Sequence, residues 1–158
     1  MLLLAMAGTG CTNGSGDEAL CESSFNPYPD LITGRVISNR HLALLDGMEA
    51  YRNGHYKEAA EQLNTYTGTK GFNKAAHLYL AISHIALGEP FEAERHLDYL
   101  ENSPMREAYR DQTEWYTVVC WLCSDQTDRA LTGARKIAEG GKHTYKREAQ
   151  RLVAKLQE

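Results

Sequence analysis

The chain has 158 residues, 42% hydrophobic and 24% charged, with 13 Gly and only 4 Pro. That composition excludes wholesale disorder and fits one ordinary domain that forms its core without a metal or a disulfide framework. The net charge of −4 excludes a basic nucleic-acid binder, although charge is uneven: residues 37–128 hold 8 basic and 14 acidic residues, and residues 129–158 hold 8 basic and 3 acidic.

In chain order, the first element is an apolar run, Met1–Ala7, followed by Gly8-Thr9-Gly10-Cys11 and a polar stretch. Seven apolar residues are far short of the ~20 that span a bilayer, and sit at the lower edge of a signal-peptide core. The arrangement resembles the end of a bacterial lipoprotein signal, in which small residues precede a cysteine that is acylated. The resemblance implies lipid attachment at Cys11. It departs from the pattern in lacking a leading Lys or Arg and in having Gly8 where an apolar residue is usual. A remnant of a longer transmembrane anchor and a soluble end of no consequence are the competing readings. Residues 12–36 read as a flexible tether, with Asn26-Pro27, Pro29-Asp30 and Gly34 as turn signals.

A repeat begins near Arg40. Gly54-His55-Tyr56-Lys57-Glu58-Ala59 recurs 34 residues later as Gly88-Glu89-Pro90-Phe91-Glu92-Ala93, with Leu63 recurring as Leu97 and Gly47 as Ala81. A weaker third copy places Ala130 opposite Ala93 at a spacing of 37, with Asp125 where the turn glycine belongs. Helices are expected near 38–53, 56–66, 74–87, 90–101, 105–123, 126–139 and 144–157. Gly54 and Gly88 supply left-handed helix stops, and Gly47, Ala59, Ala81, Ala93 and Ala130 let paired helices approach closely. The last helix carries Tyr145, Ala149, Leu152, Val153 and Leu156 on one stripe and basic residues elsewhere, which accounts for the basic tail as a solvated face.

On these residues the chain resembles the tetratricopeptide-repeat (TPR) proteins, whose period is 34 residues. The resemblance implies an all-α fold: a short α-solenoid of about three helix–turn–helix units (40–73, 74–110, 111–143) and a capping helix at 144–158. Residues 1–11 stand outside it as the signal or anchor and 37–158 form the solenoid. It also implies a groove lined by the first helix of each unit. Those positions fall on Leu44, Met48, Tyr51 and Arg52, then Leu78, Ile82 and Ile85, then Trp115, Val119 and Leu122. Such an apolar set suits a helix or peptide partner. The rival is self-packing, with Phe25, Tyr28 and Leu31 of the tether as plugs.

No catalytic motif stands out. Cys120-Trp121-Leu122-Cys123 lies in a helical pattern with no preceding strand and reads as two small core residues, with a bridge between them as the alternative. His77 and His84 share a helix face without a third ligand, so no metal or cofactor is expected and His84 reads as structural. The expected function is a non-enzymatic interaction scaffold of the bacterial cell envelope, periplasm-facing, with a protein or peptide partner, a membrane anchor, no nucleic acid and no small-molecule substrate. The alternatives are a structural subunit of an envelope assembly and the outer part of a truncated transmembrane signalling protein.

Overall fold

A computed structural model describes residues 14–35, 41–70, 73–103 and 106–158. Cys11 and the apolar run before it lie outside the described residues. Within them the regular structure is entirely helical: α1 (Gly14–Ser24), α2 (Leu42–Arg52), α3 (Tyr56–Lys70), α4 (Lys74–Ala86), α5 (Pro90–Glu101), α6 (Arg110–Leu122), α7 (Thr127–Glu139) and α8 (Lys146–Leu156). Short 3₁₀ turns precede α2 and α6 at Thr33–Arg35 and Arg106–Tyr109. No helix among the described residues is long and apolar enough to cross a membrane.

From α2 onward each helix packs against the next in sequence, and α4 also touches α2 and α6. Three tight turns make the pairs α2–α3, α4–α5 and α6–α7, and all three close in the same way. After α2, Gly54 N–H donates to Tyr51 O (3.1 Å) and His55 N–H to Ala50 O (2.9 Å). After α4, Gly88 N–H donates to Ile85 O (3.0 Å) and Glu89 N–H to His84 O (2.9 Å). After α6, Gln126 N–H donates to Trp121 O (2.8 Å). The six-to-one and five-to-two pairing is a Schellman motif, which satisfies carbonyls the helix end leaves open. It requires a left-handed residue, here Gly54 (φ +76°), Gly88 (φ +71°) and Asp125 (φ +58°). Asp is one of the few side-chain-bearing residues that tolerates this region, which is why the third turn forms without glycine.

Starts are set locally too. Asn73 caps α4, its side-chain oxygen accepting from Ala76 N–H at 3.0 Å. Pro90 opens α5, where its missing N–H costs nothing. Small residues sit where the pairs cross: Ala59, Ala81, Ala93 and Ala130 are fully buried. A Cβ on Gly47 would lie 2.9 Å from Leu63 Cγ, and one on Gly133 would lie 2.8 Å from Val118 Cγ2, so α2–α3 and α6–α7 pack at backbone distance. At the C-terminal end, Ala149 and Leu152 of α8 complete the core. Thr144 ties the preceding turn to α6, its N–H and hydroxyl each donating to Asp111 Oδ2 at 2.7 Å.

The stretch expected to be a tether departs from that reading. It contains α1, which packs on α6, and Cys21 is disulfide-bonded to Cys123, with Cα atoms 4.9 Å apart and a sequence separation of 102. Leu20, Cys21, Phe25 and Tyr28 are partly buried against the core. The helix is poorly signalled by its Gly- and Ser-rich sequence. An 11-residue helix is marginal alone, and here tertiary contact and the crosslink hold it. The bridge also resolves the Cys120–Cys123 alternative: Cys123 pairs with Cys21, and Cys120 is a buried free thiol whose S–H donates to Pro90 O.

Candidate functional site

Residues 25–32 leave α1 and run along the face made by α2, α4 and α6, held mainly through their main chain. Tyr116 of α6 donates its hydroxyl to Asn26 O (2.6 Å), Tyr51 of α2 to Tyr28 O (2.8 Å) and Tyr79 of α4 to Pro29 O (2.8 Å). Tyr79 Oη also accepts from Leu31 N–H at 3.0 Å, and Gln112 Nε2 donates to Tyr28 Oη at 3.2 Å. Each of the three helices thus places one tyrosine hydroxyl on the segment.

The segment suits this role. Pro27 and Pro29 have fixed φ and no N–H, and they hold Asn26 and Tyr28 in the extended region. Asp30 then ends the run. Its carboxylate accepts from Ile32 N–H (2.8 Å) and Thr33 N–H (3.1 Å), bonds the Thr33 hydroxyl, and pairs with Arg52 Nε at 3.4 Å. Ile32 follows and is buried.

The tyrosine rings brace one another: Tyr51 meets Tyr79 edge-on at 4.9 Å, and Tyr28 lies 6.1 Å from Tyr79. Burial raises the pKa values of Tyr51, Tyr79 and Tyr116 well above the ordinary tyrosine value. All three remain protonated donors at any physiological pH.

The groove positions expected from the sequence divide sharply. Leu44, Met48, Tyr51, Leu78, Ile82, Ile85, Trp115, Val119 and Leu122 are all buried in the core. Arg52 is at the rim and half exposed. Only Tyr51 and Arg52 of that set bond to the segment. The other bonding residues, Tyr79, Gln112 and Tyr116, escaped sequence reasoning. A signal for two of them existed: Tyr79 and Tyr116 are 37 apart, the spacing that relates Gly88 to Asp125 and Ala93 to Ala130. Of the three expected plugs, Phe25 and Tyr28 are half-buried, whereas Leu31 is 44% exposed and Ile32 takes the inward place.

A second cluster lies between α4 and α5. His77 Nδ1 and His96 Nδ1 are 3.0 Å apart, and the His84 ring stacks on His96 at 5.6 Å. Arg95 Nη2 lies 3.4 Å from His96 Nε2; a guanidinium only donates, so that nitrogen accepts. His96 therefore donates from Nδ1 to His77, and His77 carries its proton on Nε2. His84 Nδ1 meets Glu89 Oε2 at 2.7 Å, which ties the α4–α5 turn to the cluster. Burial, with Arg95 adding to it, pushes His96 down to about 3, and burial likewise lowers His77. Both are neutral at pH 7. The sequence shows His77 and His84 but not that His96, one helix away, joins them. Among the described residues no group of three or more His, Cys, Asp or Glu is arranged to hold a metal.

On the α5–α7 side, Glu94 accepts from Trp121 Nε1 (2.9 Å) and pairs with Arg129 (3.4 Å), whose guanidinium lies over the Trp121 ring at 4.4 Å. A cleft of about 360 Å³ opens nearby between α6 and α7, with Glu107, Glu114 and Lys136 around Val118 and Trp121. No family model, no curated protein and no solved structure matches the chain.

Proposed function

We propose that the protein is a non-enzymatic protein–protein interaction scaffold of the TPR type: a short α-solenoid of three hairpin units with a capping helix, presenting a groove to an extended protein segment. The observation that carries this reading is the mode in which residues 25–32 are held. Three hydroxyls from three successive units grip main-chain carbonyls, a chemistry that recognises an extended backbone. The common closure at Gly54, Gly88 and Asp125 supports three equivalent units.

The proposed setting is the bacterial cell envelope, on the periplasmic side, with attachment through a lipid on Cys11 or an apolar anchor. The Cys21–Cys123 disulfide supports it, because such bonds persist in oxidising compartments and are rare in the cytosol. The second reading, a structural subunit of an envelope assembly, draws on a different surface. Phe91 is 73% exposed and Tyr99 52%, both on α5 away from the tyrosine face.

In-cell photo-crosslinking from Arg52 and from Phe91, read by mass spectrometry, tests the two. A dominant protein adduct from Arg52 supports the groove. Adducts from Phe91 alone favour the assembly subunit. No protein adduct from either position, with the Cys21–Cys123 bridge intact or reduced, overturns the scaffold reading.

A further inference from the structure

We infer that residues 25–32 are a built-in occupant of the groove, latched by the Cys21–Cys123 disulfide, and that reduction opens the groove to an extended, proline-bearing segment with an acidic residue from another protein. The inference rests on the scaffold reading and specifies what the groove takes and when.

The bound segment defines the ligand chemistry. Its acceptors are main-chain carbonyls, so most of its side chains are not read. Its two prolines demand no acceptor from the groove and lower the entropy lost on binding. Its one charged contact is Asp30 with Arg52. A foreign segment of the form aromatic–x–Pro–x–Pro–acid reproduces the three carbonyl bonds to the tyrosines and the pair with Arg52.

The latch follows from what else holds the segment. On its C-terminal side the chain continues into α2. On its N-terminal side it depends on α1, a helix too short and too rich in Gly and Ser to persist by itself, stapled to α6 through Cys21. Phe25 and Tyr28 are only half-buried. Without the staple the segment is a one-ended tether, still at millimolar effective concentration but exchangeable.

The chemistry balances with a dithiol reductant of the thiol–disulfide oxidoreductase class. One thiolate attacks a sulfur of the bridge to give a mixed disulfide, and the second resolves it. Cys21 and Cys123 leave as thiols, the reductant leaves as its own disulfide, and two electrons have passed. Both bridge residues are partly exposed and open to such attack. Cys120, one turn away, is buried, and burial pushes its thiol up to about 12, which keeps it out of the exchange.

The test uses the full chain, oxidised and dithiol-reduced, with reduction verified by mass. The probe is a fluorescein-labelled peptide of residues 22–34. The expected result is at least tenfold faster hydrogen exchange at the Leu31 amide on reduction, together with at least tenfold tighter peptide binding by the reduced chain. Leu31 exchange that does not change on reduction overturns the latch, as does equal peptide binding by the two forms. Reduced protein that dimerises instead of binding the peptide overturns the foreign occupant in favour of exchange between copies. Should reduction unfold the chain, oxidised Asp30→Asn/Tyr28→Phe takes its place, since it removes the segment's own bonds to Arg52 and Gln112 while the groove and the bridge stay. Continued exclusion of the peptide supports the latch, and peptide binding by this variant overturns it. A failed latch leaves the Arg52 crosslinking result standing, so the two readings fail separately.

Discussion

Replacing Gly88 with Val isolates the energy of one backbone conformation. A Cβ at Gly88 meets nothing within 4 Å, so no steric clash contributes. What remains is φ +71°, where a side chain costs about 1–2 kcal/mol, with β-branched residues at the upper end. The loss of glycine's freedom in the unfolded chain offsets roughly 0.4–1 kcal/mol of that. The expected net loss is about 1 kcal/mol or slightly more, which for a chain of this size lowers Tm by roughly 2–5 °C. Asp125 supplies the internal control. It is exposed and already left-handed, so Asp125→Val should lower Tm comparably while Asp125→Gly should not lower it. Differential scanning calorimetry at pH 7 reads all three. An unchanged Tm for Gly88→Val would refute the assignment of the left-handed residue as what stops α4.

Tyr116→Phe removes a buried hydroxyl from Asn26 O and should cost about 1 kcal/mol in urea unfolding, with the same m-value; a change within 0.3 kcal/mol (roughly the error of such measurements) would show that the bond contributes nothing. The histidine cluster gives a signed pH dependence. His96 is depressed to about 3 in the folded chain against an ordinary value near 6.5, so the unfolded chain takes up its proton first. Stability is full above pH 6.5 and falls as pH drops towards 3, at up to about 1.4 kcal/mol per pH unit. His96→Gln should flatten the upper part of this fall, between pH 6.5 and 5, where carboxylates contribute little, and urea midpoints across that range decide it. Cys11→Ala should move the protein from the membrane fraction to the soluble one, and a variant that still pellets would refute acylation at Cys11.

The helical frame was legible because it is written locally. A 34-residue recurrence of Gly, Ala and Leu placed the turns, and α4, α5 and α7 lie within a residue or two of their expected bounds. Even the defective third copy was readable, since Asp125 does what Gly54 and Gly88 do. That the tether plugs this face was legible in Phe25 and Tyr28, but its helix and its path were not. Helix α1 and the path of residues 25–32 depend on partners 84 to 102 residues away, Gln112, Tyr116 and Cys123, and no periodicity records such contacts. The candidate groove was read one position off in two helices. The spacing of small and apolar residues marks which face is buried, but both sides of a buried first helix are apolar here. The polar tips of Tyr79 and Tyr116, rather than hydrophobicity, distinguish the side that meets the segment.

The bridge from Cys21 to Cys123 has a mechanical meaning. Tension applied between the two ends of the chain enters at residue 21, crosses the sulfur–sulfur bond and leaves at residue 123, bypassing α2 through α6. Only the stretches outside the bridge bear load. Residues 124–158, with α7 and α8, pay out about 120 Å at ~3.4 Å per residue. Cutting the bridge adds the 102-residue interval to the stretched path, roughly 350 Å more. A protein held at one end and pulled at the other therefore carries no tension through the helices of its tyrosine face for as long as one covalent bond survives.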